Sequence, residues 1–237
     1  LYVLCLKEWN LDSFMYHYLW NPIKRVGQYF NFITYMRAFA LLVPIYLVGL
    51  LCVYHKDWVP DPIEHWLPIV FSLVGLTCVL KAFTERQHAR VSWLLVIMNH
   101  FWIALAISFN ENFTFDEIHL YLIGVTVAGV VGFAALSRLR LLEGTIDLDQ
   151  FHGHSHRHPK VALVFLLACL GATGFPITPT FIGEDLIFSH IHEEQLLLAF
   201  FTSLSFVVDG LAIIRIYARV FLGPHAKSVF EMAYRSS

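Results

Sequence analysis

Six long apolar runs divide the chain, at approximately 38–54, 66–82, 91–109, 118–136, 161–183 and 196–218. Each matches one bilayer crossing, which takes about 20 residues at 1.5 Å rise. In lipid the backbone can be satisfied only inside helices or closed barrels. The pattern therefore predicts an all-α polytopic membrane protein with about six transmembrane helices. The fifth run differs from the others. It carries no charge over 163–174, then meets Pro176 and Pro179, and ends on Gly183, Glu184 and Asp185. Prolines withdraw amide donors, so this helix is expected to be broken near mid-membrane, with Gly174, Pro176, Pro179 and Gly183 forming the break. Either the break is a proline kink whose acids meet water, or it is an ion site. Broken helices in lipid are tolerated where protein or a water-filled cavity satisfies the freed groups.

Residues 1–36 mix charges with aromatic side chains such as Tyr16, Tyr18, Trp20 and Tyr29. They read as an interfacial amphipathic segment, followed by a transmembrane domain over 37–223 and a cytoplasmic tail over 224–237. The sequence opens on Leu1, and the stretch that follows is too short and wrongly flanked for a cleaved signal. The chain is accordingly treated as a candidate portion of a longer polypeptide.

Composition agrees with the runs. The 237 residues are 57% hydrophobic and 14% charged, with mean hydropathy +0.62, against about 25% charged residues in soluble domains. A net charge of -2 argues against a nucleic-acid partner. Cys5, Cys52, Cys78 and Cys169 show no CxxC spacing, so no disulfide is expected. Of the 16 basic residues, 14 fall before the first run, from the end of run two (Lys81) to the start of run three, between four and five, or after the last. The opposite loops hold Lys56 beside eight acids. Short cytoplasmic loops collect Lys and Arg, which predicts cytoplasmic termini.

Polar residues inside the runs are the candidates for chemistry. Asp209 lies mid-run, where a carboxylate costs a few kcal/mol unless paired, hydrated or protonated. Arg215, six residues later, sits about 120° around the helix from it and either snorkels or serves the same path. His100 and His119 read as helix–helix hydrogen bonders able to shuttle protons, and Asn99 as packing glue. Gly124, Ala128 and Gly132 predict close helix packing. His152, His154, His156 and His158 alternate in a basic loop and are weak metal candidates, because no further ligands lie nearby in sequence. No phosphate loop, nucleophile elbow or haem motif is present, so neither a catalytic residue, a resident metal nor a cofactor is assigned.

The order of these motifs resembles the antiporter-like subunits of respiratory complex I and the Mrp cation/proton antiporters. The similarity runs over about 66–223, corresponding to the second of their two inverted five-helix repeats. It is carried by Gly75, Thr77 and Arg90 in LVGLTCVLKAFTERQHARV, by His119-Leu120, and by Phe151, Gly153 and Pro159. The most specific part is Gly174-Phe175-Pro176 followed by Phe181-Ile182-Gly183-Glu184, with Arg215 and Gly223 closing the series. In that family the position matching Glu184 is a protonatable Lys or Glu. The resemblance thus implies proton or cation translocation with Glu184 as the exchangeable site, Asp209 and His119 as relay members, Asp185 as an exit and Arg215 along the path. Departures stand beside it: Ala89 replaces the family's loop lysine, and Ile123 and Val127 replace its H-x-x-x-K pair. The segment LDSFMYHYLWNP is similar to the one before the last helix of the longest subunit type.

The implied partners are the lipid bilayer, other membrane subunits and a soluble or peripheral catalytic subunit. The implied place is a bacterial inner membrane, and any enzymatic role would be that of a translocase subunit without its own active site. Two alternatives remain. One is the related membrane subunit of DAB-type inorganic carbon accumulation complexes, coupling energy to uptake. The other is a structural anchor for a partner enzyme that conducts nothing.

Overall fold

A computed structural model describes residues 11–15, 17–18, 21–22, 25, 35–110 and 115–224. Most of the predicted interfacial segment, including Tyr16, Trp20 and Tyr29, lies outside the described residues, as do Cys5 and the tail from 225 onward. The helices are α1 (Leu11–Met15), α2 (Tyr35–Tyr54), α3 (Asp61–Glu64), α4 (Leu67–Thr84), α5 (Ala89–Ile107), α6 (Phe115–Glu143), α7 (Pro159–Ala172), α8 (Pro179–Ser189) and α9 (Leu196–Phe221). No strand occurs among the described residues. By length and composition α4, α5, α6 and α9 can each cross a membrane, and α2 and α7 are further apolar helices. This is an all-α polytopic membrane protein.

The predicted spans fall on these helices, with one marked difference of extent. The fourth run was expected to end at residue 136, yet α6 continues to Glu143 through Arg138 and Arg140. Hydropathy measures the apolar depth, whereas a helix continues into water wherever its residues favour it.

Helix α5 is the centre of the bundle and packs against α2, α4, α6 and α9. Trp93, Val96, Trp102, Ile103 and Ala106 on its successive faces are all fully buried. Lipid tails are as apolar as these side chains, so what holds the helices together is close contact and interhelical hydrogen bonding rather than exclusion of water. The small residues of α6 supply that contact. Gly129 lies against Ile97 and Gly132 against the Trp93 ring, while on the other flank Ala128 meets Gly171 of α7 and Gly124 meets Pro179 and Thr180 of α8. The indole Nε1 of Trp93 donates to the Gly129 carbonyl at 2.9 Å, which fixes the α5–α6 register.

The two ends of the bundle differ in chemistry. At the basic end Leu148 N–H donates to the Arg86 carbonyl at 2.6 Å, and the amides of His152, Gly153, His154 and Ser155 donate to the carbonyls of Arg219, Leu222, Val220 and Phe221. A helix leaves its last carbonyls without intrahelical donors, so this loop closes the end of α9 with its own backbone. At the acidic end Asn110 donates to the His190 carbonyl at 2.8 Å and exchanges bonds with Gln195, while His190 Nε2 lies 3.2 Å from Glu117 Oε2. The loops therefore gather by charge, as their composition predicts.

A Cβ at Gly132 would collide with the buried Trp93 ring. Gly132→Val should lower the stability of the detergent-solubilised protein by about 1–3 kcal/mol, the usual cost of overpacking. Denaturant titration measures it; an unchanged midpoint would mean that the indole can move aside.

Candidate functional site

The fifth span is broken, and local chemistry explains how. Helix α7 ends in a Schellman turn: Thr173 N–H bonds to the Cys169 carbonyl at 2.9 Å, Gly174 adopts φ +65°, and Phe175 N–H reaches back to the Leu170 carbonyl at 3.0 Å. Pro176 cannot continue the helix. Pro179 then occupies the first position of α8, where a missing amide hydrogen costs nothing. Residues 173–178 are the non-helical stretch. Gly174 and Pro176 lie within it and Pro179 at its exit, but Gly183 belongs to the body of α8, a correction to the expectation that it helps form the break. Its lack of a side chain serves close approach instead, since a Cβ there would press on the backbone and ring of Tyr121.

Glu184 is half-buried and folds back from α8 against the break. Its carboxylate fills the space that a side chain at Gly174 would take. Asp185, the next residue, is exposed.

Beside this break four helices bring polar groups together. His100 of α5 has zero exposure and Asp209 of α9 is 2% exposed. Imidazole Nε2 lies 3.2 Å from Asp209 Oδ2, off the hydrogen-bond axis, a contact that is ionic when the ring is protonated. On the other side of the ring, Nδ1 is 2.6 Å from the hydroxyl of Tyr121 of α6, also fully buried. Asn99 donates from Nδ2 to Asp209 Oδ1 at 3.3 Å. Glu184 completes the group, for its charge and those of His100 and Asp209 act on one another. Thr202, Ser205 and Asp209 recur at i, i+3 and i+7, so α9 turns a buried polar stripe toward the core. Asn99 Oδ1, Thr180 Oγ1 and Thr202 Oγ1 are buried without a hydrogen-bond partner among the described residues. Between α6 and α8, Glu117, Ile118, Gly183, Leu186 and His190 border a shallow surface crevice at the acidic end that has no room for a water molecule.

Other sequence candidates lie elsewhere. His119 is on the exposed side of α6. Arg215 is half-buried with its guanidinium 5.8 Å from the Phe83 ring, among the charges of Arg219, Arg86, Asp149 and Glu85 at the basic end. The loop histidines do not converge. His158 Nε2 meets Glu143 at 2.7 Å, His152 Nε2 meets Asp147 at 3.2 Å, and His156 is exposed. His154 stacks on His152 with centroids 5.1 Å apart, and burial together with that neighbour holds its imidazole below the ordinary histidine range. Among the described residues no three His, Cys, Asp or Glu side chains are placed to hold a metal ion. The sequence alone reads His100 as a helix–helix hydrogen bonder able to shuttle protons and Asn99 as packing glue, with neither placed in the ion path, and it passes over Tyr121. The available signal was a pair of polar residues in the middle of one apolar run facing an acid in the middle of another.

The structure is a bundle of apolar helices with one interrupted span and ionisable side chains buried beside the interruption, the architecture of a polytopic membrane protein. Residues 63–208, more than half of the chain, match the family described as NADH:quinone oxidoreductase/Mrp antiporter, TM, and the chain belongs to that family. Similar proteins include subunit N of the NADH-quinone oxidoreductase of Mycobacterium sp. (strain JLS), 26% identical over 159 residues, covering 65% of this chain and 32% of that protein. Subunit M from Rickettsia felis is 30% identical over 113 residues, covering 41% of this chain and 23% of that protein. NADH-ubiquinone oxidoreductase chain 4 of Dictyostelium citrinum is 38% identical over 66 residues, covering 28% and 16%. The chain spans about a sixth to a third of the length of these relatives.

Gly174→Ala should lower stability by about 1–2 kcal/mol through its left-handed backbone alone. Contact with the carboxylate adds to this. A double-mutant cycle with Glu184→Ala should recover the second part and not the first; strict additivity would separate Glu184 from the break.

Proposed function

We propose that this chain forms part of a proton- or cation-translocating antiporter-like subunit of a multi-subunit membrane complex, with Glu184 as the exchangeable carboxylate. The observation that carries the reading is the seating of Glu184 in the helix break, against Gly174 and beside the buried His100–Asp209 pair. Ionisable groups inside a membrane are costly, face protein or water, and mark ion paths. The break supports the same reading, since interrupted spans are commonly where such paths form.

In this reading Glu184 exchanges its proton with Asp209 and His119 as relay members, Asp185 is the exit at the acidic end of the bundle, and Arg215 stands along the path at the basic end. The basic end faces the cytoplasm and places both termini there, in accord with the distribution of Lys and Arg. Bacterial relatives suggest an inner membrane, with residues 1–36 at its interface and 224–237 as a cytoplasmic tail. Partners are the remaining membrane subunits and a peripheral subunit that drives or uses the ion movement. A DAB-type subunit for inorganic carbon uptake would use the same site with a different peripheral partner, so identification of the co-purifying subunits separates the two.

One observation favours a second reading, a non-conducting structural anchor. Ile123 and Val127, which stand where the resemblance expects relay groups, are apolar and turned outward at 59% and 58% exposure. Glu184→Gln decides between them. In the complex purified from native membranes by a tag on the full polypeptide and reconstituted into vesicles, it should abolish coupled proton movement, read with a pH-sensitive dye, without altering subunit composition. Undiminished movement would remove Glu184 from the mechanism and leave the anchor.

A further inference from the structure

We propose that residues 152–155 form a pH-operated latch on the basic end of α9, closed while His154 is neutral and released when that imidazole takes up a proton. The latch lies at the helix ends and involves neither Glu184 nor its buried neighbours. Main-chain bonds join its two segments. The amides of His152, Gly153, His154 and Ser155 donate to the carbonyls of Arg219, Leu222, Val220 and Phe221 at 2.9, 3.1, 3.3 and 3.1 Å. Gly153 and Gly223 have φ of +66° and +142°; a Cβ on the first would stand 2.8 Å from the Pro224 carbonyl oxygen, and one on the second 3.1 Å from the Gly153 nitrogen. The segments thus pass at backbone distance. Helix α9 is held separately, because Val220 and Phe221 are fully buried and the Phe221 ring packs on Phe165 and Tyr217. The loop can leave without the helix.

Two imidazoles sit on this seam with unequal provision for a charge. The ring of His152 lies parallel to that of His154, with 6° between their planes and 5.1 Å between centroids. A proton on His152 is met by Asp147, whose carbonyl accepts from Nε2 at 3.0 Å and whose carboxylate lies 3.2 Å away. A proton on His154 has no such acid. The residue is 8% exposed, and its Nε2 is buried without a hydrogen-bond partner among the described residues. Protonation makes both imidazole nitrogens donors, so a charged His154 leaves a buried donor unpaired. The surrounding charges give little relief. His152, His158 and Arg157 oppose a proton there and Glu143 of α6 favours one, but that carboxylate is already engaged by His158 at 2.7 Å and Arg157 at 3.3 Å. On α9 the Arg219 guanidinium lies 4.4 Å from the centroid of the Phe151 ring and donates to the Asp149 carbonyl at 3.0 Å. Asp149 faces Arg86 at 3.8 Å, and Lys160 of α7 is exposed.

Burial and the neighbouring imidazole hold His154 below the ordinary histidine range in the closed latch, and release returns it to water. The released loop therefore binds a proton more readily than the closed one. Closure is fully favoured above about pH 6.5 and weakens as pH falls below it. Both ends of the loop stay fixed meanwhile. Leu148 is bonded to the Arg86 carbonyl at 2.6 Å, and protonation of His158 strengthens its bond to the Glu143 carboxylate. Acid at the basic end thus opens only the stretch between them and uncovers the last carbonyls of α9, the helix that carries Asp209.

The test uses the complex purified by a tag on the full polypeptide. Amide hydrogen exchange of the peptide covering residues 152–155 is followed from about pH 8 to about pH 5, corrected at each pH for the intrinsic exchange rate. Wild type should lose protection by up to about tenfold per pH unit below about 6.5. His154→Phe keeps a ring in the stack and cannot take a proton, so its protection should stay level. A level profile in wild type overturns the latch. So does a fall in His154→Phe that matches wild type, because another group would then drive release. Should His154→Phe be unprotected even at the alkaline end, wild type decides through exchange of the His154 C2 hydrogen, which reports that ring's own titration. Coincidence with the loss of amide protection supports the latch, and separation by more than about one pH unit overturns it.

Discussion

An imidazole and a carboxylate held within 3.2 Å of each other inside a lipid-embedded bundle are the constraint around which the helices arrange themselves. Neither group can be left alone there, because removing one partner of a buried pair strands a charge at a cost of about 3–5 kcal/mol. His100 belongs to α5 and Asp209 to α9, so these two helices must hold one axial register. The Tyr121 hydroxyl adds α6 to the same junction, and the absence of a side chain at Gly75 lets α4 close against Asn99. The central place of α5 follows. It carries two adjacent polar side chains that both meet Asp209 of α9, and His100 reaches Tyr121 of α6 as well, so α5 must lie between those two helices.

Much of the architecture was legible because a bilayer imposes length. Six apolar runs became five continuous helices and one interrupted span, and the break was visible in Pro176 and Pro179. What could not be read was the reason for each small residue. Gly174 and Gly183 look alike in a string of letters. One supplies a left-handed backbone and the other admits Tyr121, a residue of a different helix. Histidines posed the same difficulty. His119 and Tyr121 are two positions apart, about 200° around α6, so one is exposed and the other fully buried. His100 looked solitary because its acid lies more than a hundred residues away, and a single sequence holds no trace of that proximity.

Small residues on α6 tie the break to the buried cluster. Gly124 receives the first turn of α8 at Thr180, and Tyr121, one turn earlier, receives Gly183. A half-helix of 11 residues spans only about 16 Å and has too little surface to hold its own position by dispersion alone. Two points of backbone-level contact on one neighbour compensate, and they set the rotation of α8 so that Glu184 turns toward the break while Asp185 stays outside. Bulkier side chains on α6 would push α8 outward and carry the carboxylate away from His100 and Asp209.

The position of Glu184 within α8 adds a further element. It lies in the second turn of a helix whose N-terminus carries partial positive charge and whose first residue lacks a side-chain cap, surroundings that favour a carboxylate. A continuous helix would have offered no terminus at that depth, because its aligned peptide dipoles end at the membrane surfaces. Interrupting the span brings a helix end into the interior, so the backbone groups that a terminus leaves unpaired, and the carboxyl group folded back against the break, are met by protein rather than by bulk solvent.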